Sequence, residues 1–413
     1  MKLAILGADA ATIELARAAL ASHAHTLDWV CEIERHSDTE RHGDFAGHGD
    51  SDARLRSLAH SARLAEHWES LLDQKLIDAV IVGRAPDEDR RAEQLRKFVQ
   101  VGMPILVSHP VVDSMLIYYE LDMIRRETRS IVLPYLPDRL HPAIARLAAM
   151  AAAEESAIGK AEQMVMERPL GDRSRAQVLA QFARDVDLIR AVTGEVSRIG
   201  AMGAATAEVS FANLGVQMSG PSGVLARWSV GPLEGGEAAR ISLLGVRGKA
   251  TLHMPAAGPW TLAIGTGPAE DRGDFVVWDP ARAALAQLAE AVAGKAVQPD
   301  WVDAARSVEL AETIERSLRK GRNVDLHYEE YTEQGTFKGM MTSLGCGLLI
   351  GGLTLVFVVA LVDNVARAMK RPIPLLDLWP YFLLGLLGLF LLLQFLSLLF
   401  AKDEPPETPP PEV

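Results

Sequence analysis

The first 150 residues alternate short apolar runs with longer helical stretches. Leu3 to Leu6, Leu27 to Cys31, Ala79 to Val82 and Ile105 to Val107 read as strands, and Thr12 to Ala21, Arg54 to Asp73 and Glu88 to Val101 as helices. Strands that are apolar throughout and joined through helices predict βαβ units, and so a doubly wound parallel sheet covered on both faces. Past Ala151 the pattern changes. One helix over 173–193 is followed by apolar and β-branched runs at 196–202, 208–216, 224–230, 239–254, 260–264 and 275–278, separated by Gly and Pro. These predict an α+β part built on a largely antiparallel sheet open on one face. Two more helices follow, Ala281 to Ala293 and Val302 to Lys320. The second carries Val302, Ala305, Val308, Ala311, Ile314 and Leu318 on one face, which suits it to pack back on another element.

Near the C-terminus the pattern stops being amphipathic. Gly339 to Val362 and Leu378 to Ala401 carry no charged residue, and Phe382 to Leu393 contains only Gly, Phe and Leu. At 1.5 Å per residue a span of about 20 residues crosses a hydrocarbon core. Each run exceeds that, and apolarity all round argues against a buried core helix, so the expectation is a two-helix membrane hairpin. Gly347 and Gly351 offer a small-residue face for close helix packing. The tail from Lys402, with five prolines among acidic residues, reads as disordered. The expected domains are therefore 1–130, 131–326, the hairpin over 339–401, and the tail over 402–413.

Composition narrows the function classes. With 54 acidic against 42 basic side chains the net charge is −12, which disfavours nucleic acid as a partner. Two cysteines, Cys31 and Cys346, exclude a disulfide framework and suit a reducing compartment. Met1-Lys2 runs straight into the first strand with no export-signal pattern, so the globular part and tail are expected on the cytoplasmic side of the inner membrane. Arg367, Lys370 and Arg371 in the hairpin loop pull the opposite way. His36, His42 and His48 lie six apart in a polar stretch; that spacing suits a solvated loop better than a metal site, and no metal is expected.

Three segments together resemble the Gfo/Idh/MocA oxidoreductases, the family of glucose-fructose oxidoreductase and inositol dehydrogenase. They are Asp78-Ala79-Val80-Ile81-Val82 before a Pro turn, Gly102 to Pro110, which resembles the family's strand ending in Glu-Lys-Pro, and Asp185 to Glu195, which resembles its central helix. His141-Pro142-Ala143 and the segment Glu312 to Val324 match in the same order. The resemblance covers about residues 1 to 326 and implies a Rossmann-like domain, an α+β domain with an open sheet, NAD or NADP as cofactor and a sugar-like or polyol substrate.

The expected chemistry departs from that pattern. A dinucleotide loop needs Gly-x-Gly-x-x-Gly so that backbone can approach the diphosphate and helix can pack on strand. Gly7, Asp9 and Thr12 stand at those places, and a carboxylate at Asp9 repels a diphosphate. Gly7 is expected to serve the tight turn in any case. Glu32, at the end of the second strand, can accept from ribose hydroxyls or simply be a polar strand end. The resemblance places the family's catalytic Lys, Asp and His at His109, Ala180 and Arg184, so none is retained. His109, with an ordinary pKa of about 6.5, can act as acid/base; Arg184 can hold a carboxylate or hydroxyl but cannot take its proton. Asp187, two residues past Asp185, reads as structural.

Two functions remain open. The first is a membrane-anchored binding or scaffold protein with a degenerate site. The second is an NAD(P)-dependent oxidoreductase using His109. A protein partner, or a second copy of the chain, could dock on the open sheet.

Overall fold

Six parallel strands form the first sheet: β1 (Lys2–Leu6), β2 (Thr26–Cys31), β3 (Arg63–Leu64), β4 (Ala79–Val82), β5 (Ile105–Ser108) and β6 (Val132–Tyr135). Their order is β3-β2-β1-β4-β5-β6 in a computed structural model that describes residues 1–32, 48–203, 211–233, 237–265, 271–275 and 278–326 together with a few positions between 351 and 385. All four residues of β4 and of β5 are buried, the reason those strands show no polar alternation. The connecting helices are α1 (Ala10–Ala21), α2 (His48–Leu58), α3 (Glu88–Gln100) and α4 (Met115–Thr128). The sixth strand begins at Val132, so the parallel sheet reaches past residue 130.

The predicted helix from Arg54 to Asp73 is replaced by three pieces. After α2, Arg63 and Leu64 pair with Trp29 and Val30 at the sheet edge, and a 3-10 turn covers Trp68–Leu72. Within 54–73 the helically spaced buried positions Leu55 and Ala59 are followed by only Ala65 and Leu71, so no apolar face sustains a longer helix. The polar stretch holding His36 and His42 lies outside the described residues.

After α5 (Pro142–Ala152), β7 (Ala161–Leu170) and α6 (Arg175–Thr193) come β8 (Arg198–Met202), β9 (Gly215–Ser219), β10 (Leu225–Pro232), β11 (Glu237–Gly245), β12 (Gly248–Pro255), β13 (Thr261–Ile264) and β14 (Asp271–Asp274). Helices α7 (Pro280–Val292) and α8 (Trp301–Lys320) and strand β15 (Val324–Asp325) finish this unit. The second sheet runs β14-β13-β12-β11-β7-β10-β9-β8-β15. Antiparallel pairing prevails as expected, but β7 and β10 pair in parallel. Strand β7 was not expected from the pattern, because Glu162, Gln163, Glu167 and Arg168 mask the buried Met164 and Met166 at its centre.

Helices α5, α6 and α8 cover one face of this sheet, with Leu147, Phe182, Ile189 and Ile314 meeting Met166, Trp228, Ile241 and Leu252 in one core. The chain also returns to the first sheet. Ala281, Leu285 and Leu288 of α7 join α1 on one of its faces, while Trp301, Ala305 and Val308 of α8 join α3 and α4 on the other. Helix α8 thus packs back on another element, as its apolar face predicts, and in doing so belongs to two cores. Both sheets lie in one compact unit, Met1–His327.

Tyr328–Val413 form a second unit. The two uncharged runs expected to span a membrane lie almost wholly outside the described residues, and the proline-rich tail does so entirely. Among the described residues no helix is long and apolar enough to cross a membrane. The positions described within 351–362 are helical, with Phe357 71% and Leu361 57% exposed.

Candidate functional site

In a doubly wound sheet, ligands bind at the carboxyl ends of the strands where the order reverses, here between β1 and β4. The turn after β1 opens with Gly7 at φ +78°, a conformation that glycine adopts without penalty. Asp9 then caps α1 in a capping box, with its Oδ1 accepting from the Thr12 N–H at 2.8 Å and the Thr12 hydroxyl accepting from the Asp9 N–H at 2.8 Å. The other oxygen, Oδ2, accepts from the Arg84 N–H at 2.8 Å in the loop after β4. A Cβ on Gly83 would lie 3.0 Å from the Thr12 methyl and 3.1 Å from the Gly7 carbonyl, so the two loops are in direct contact.

Above Gly7 lies Arg91, a residue sequence reasoning passed over. Its guanidinium is buried, and a Cβ on Gly7 would come within 2.6 Å of its Nη2. Nη1 donates to the Gln94 side chain at 2.8 Å, and Nη2 pairs with Glu32 at 3.3 Å. Glu32, at φ +55°, also receives Arg90 Nη2 at 2.6 Å and Gln94 Nε2 at 2.6 Å. The structure therefore brings Gly7, Asp9, Thr12 and Glu32 together, and binds them to α3 and the loop before it. The available signal was register: Arg91 falls on the buried face of α3 with Leu95 and Phe98, where an unpaired cation is not tolerated.

His109 and Arg184 also meet. His109 directly follows β5 and is 4% exposed, while Arg184 projects from α6 and its Nη1 donates weakly to the His109 carbonyl at 3.4 Å. Arg184 Nη2 donates to Gln181 at 2.8 Å. Neither ring nitrogen of His109 has a protein hydrogen-bond partner of good geometry. Burial, reinforced by the charge of Arg184 and opposed only weakly by the Ala183 backbone, lowers its pKa to about 3. The imidazole is therefore neutral between pH 6 and 7 and takes up a proton only well below that range. Ala180, at the position of the family's Asp, is buried and offers no polar group.

Around this pair the acids are committed or shifted. Arg168 takes both oxygens of Asp185 at 2.8 and 2.6 Å, and Trp228 and Gln181 donate to the same carboxylate at 2.8 and 2.9 Å. Asp138 lies in the 3-10 turn Pro137–Leu140, and burial raises its pKa against the pull of Arg168 and Arg184. Tyr135 donates to Glu14 at 2.8 Å beside it. Asp187 is fully buried and receives Arg139 at 2.7 Å, with Asp303 and Arg190 completing an ion network among α6, α8 and the turn. Its role is structural, as its place in the helix suggested. Among the described residues no cluster of His, Cys, Asp or Glu is arranged to hold a metal.

No family profile and no curated protein matches the sequence. Solved structures do. A myo-inositol dehydrogenase from Corynebacterium glutamicum superposes with TM-score 0.60 at 18% identity, covering 80% of this chain and 99% of its own. The UDP-N-acetylglucosamine 3-dehydrogenase GnnA from Acidithiobacillus ferrooxidans gives 0.61 at 17%, covering 77% and 97%. GenD2 from gentamicin A biosynthesis, solved in complex with NAD, gives 0.62 at 17%, covering 79% and 97%. The chain therefore has the fold of the Gfo/Idh/MocA-type oxidoreductases, a Rossmann-like parallel sheet joined to a mixed sheet with helices on one face.

Proposed function

We infer that this chain is a membrane-anchored binding or scaffold protein built on a dehydrogenase fold, with a cofactor cradle closed by its own side chains. One observation carries the reading: the Asp9 carboxylate stands where a diphosphate would, accepting from the N–H of Thr12 at the start of α1 and from the N–H of Arg84. Helix α1 has its anion already, covalently attached. Arg91 fills the space over Gly7, and Glu32 has three donors on α3 in place of a ribose. These residues do not fit a dinucleotide. The runs over 339–362 and 378–401 are the anchor, and the exposed helical side chains Phe357 and Leu361 are best solvated by lipid. On this reading the globular unit and the tail face the cytoplasm.

The open side of the second sheet, where Val165, Arg227 and Ser242 turn from the core, is the surface offered to a partner or a second copy. The alternative is an active NAD(P)-dependent oxidoreductase on a sugar-like or polyol substrate. The neighbours' chemistry favours it, GenD2 having been solved with NAD. Isothermal titration of the full chain in detergent decides between them. The parent protein should take up neither NAD(H) nor NADP(H), while the double variant Asp9→Gly, Arg91→Ala should gain measurable affinity. Micromolar binding to the parent would overturn the reading.

A further inference from the structure

The C-terminal end of α8 gathers cations that the fold does not use. Arg316, Arg319 and Lys320 stand three and four residues apart on one face of the helix, and Arg322 follows its Gly321 cap; all four are exposed. Their acidic neighbours are already engaged. Glu312 accepts from the Met115 N–H at 2.7 Å, Glu315 holds Arg175, and Asp325 holds Arg198 at 2.6 Å. No ion pair among the described residues takes up any of the four cations. The helix dipole accounts for Arg319 and Lys320 in the last turn, where positive charge offsets the carbonyl end. It does not reach Arg316, a turn earlier, or Arg322, beyond the cap.

A local surplus of positive charge runs against the whole chain, whose net charge is −12. Basic clusters that border a membrane segment are drawn to anionic headgroups, with a gain in partition of roughly fivefold per Lys or Arg near the surface. Residues 323–338 separate Arg322 from the uncharged run that begins at Gly339. At no more than about 3.5 Å per residue, that length lets the end of α8 reach a bilayer without pinning it there. Contact is then decided by charge. The competitor within the chain is the acidic linker, which carries Glu329, Glu330 and Glu333. We propose that the end of α8 seats on the headgroups of anionic lipids, through Arg316, Arg319, Lys320 and Arg322. This rests on the reading of the chain as membrane-anchored, and it is a contact separate from the anchor itself.

The test uses the full chain in lipid nanodiscs and reads the acetylation rate of Lys320 by peptide mass spectrometry, with the exposed Lys75 in the loop before β4 as internal control. In discs of mixed phosphatidylcholine and phosphatidylglycerol, Lys320 should react at least roughly fivefold more slowly than in phosphatidylcholine alone. Salt at about 0.5 M should remove the difference, because the Debye length then falls to a few ångströms. Lys75 should react alike in both discs. The triple variant Arg316→Gln, Arg319→Gln, Arg322→Gln should lose most of the protection, and Arg316→Lys, Arg319→Lys, Arg322→Lys should keep it, since a headgroup surface reads charge rather than guanidinium shape. Both variants should melt like the parent, as expected for exposed side chains without ion-pair partners. Equal Lys320 rates in neutral and anionic discs, the result if the acidic linker occupies the patch, would overturn the proposal. So would undiminished protection in the Gln variant, or protection by poly(U) RNA in neutral discs with none from phosphatidylglycerol. A chain that leaves the discs at about 0.5 M salt would instead overturn the anchor, and salt-sensitive protection of Lys320 by anionic discs would still stand.

Discussion

At the scale of single residues, several side chains that look like chemistry in the sequence are fixed by burial and pairing. Gly7 keeps the role of a turn glycine, but the group that approaches its Cα is the Arg91 guanidinium. His141 is the N-cap of α5, accepting from the Ala143 N–H at 3.1 Å, with its ring stacked on Trp260 at 3.9 Å. Burial lowers its pKa to about 4, well under the ordinary 6.5. The sign follows from proton counting. Between those values the unfolded chain binds a proton that the folded one refuses, so this contribution to stability is complete above about pH 6.5 and is lost as pH falls toward about 4. His141→Asn keeps a capping side chain and loses the stacking. It should be less stable than the parent at neutral pH, with the gap narrowing by up to about 1.4 kcal/mol per pH unit on acidification. Urea midpoints at about pH 7 and about pH 5 measure it; a gap of constant size would refute the assignment.

At the scale of elements, α8 does the most to join the parts of the first unit. Its N-terminus is set by an Asp300 capping box, with the Asp300 side chain accepting from Val302 and Asp303. Its first turn inserts Trp301 into the core of the parallel sheet, stacked 4.7 Å from Tyr118 and donating to the Tyr118 carbonyl at 3.0 Å. Two turns on, Leu310 and Ile314 are in the core of the second sheet. Trp301→Ala should therefore cost about 3 to 5 kcal/mol, the range for a large aromatic removed from a packed core. Amide exchange should show protection falling in α3, α4 and α6 together. A loss confined to α8 would mean that the helix is a passive cover. The amphipathic pattern of this helix was legible; that one face serves two cores was not, because periodicity shows which positions are buried and not what they are buried against.

At the scale of the whole molecule, residues 1–327 hold three hydrophobic cores and every described strand, which predicts that this fragment folds without the apolar runs. It should be monodisperse in the absence of detergent and melt cooperatively, by light scattering and calorimetry; persistent aggregation would place the boundary wrongly. The sequence alone determined the parallel sheet, since strands buried on both faces must be apolar throughout, and α6 and α8, since long amphipathic periods admit no other element. It also placed Gly7, Asp9 and Thr12 at the turn after β1 and Glu32 at the end of the neighbouring β2, because βαβ connectivity brings those loop ends together. Strand β7 and the partners Arg91, Gln94, Asp138 and Arg168 stayed hidden, because a buried charge is recognised only when the opposite charge that pays for its desolvation is seen across the fold. His109 makes the same point from the other side: its identity suggested a base, and only packing on α6 decided that it remains neutral. Local pattern fixes which elements form, whereas electrostatics depends on groups far apart in the chain, and tertiary structure alone sets those distances.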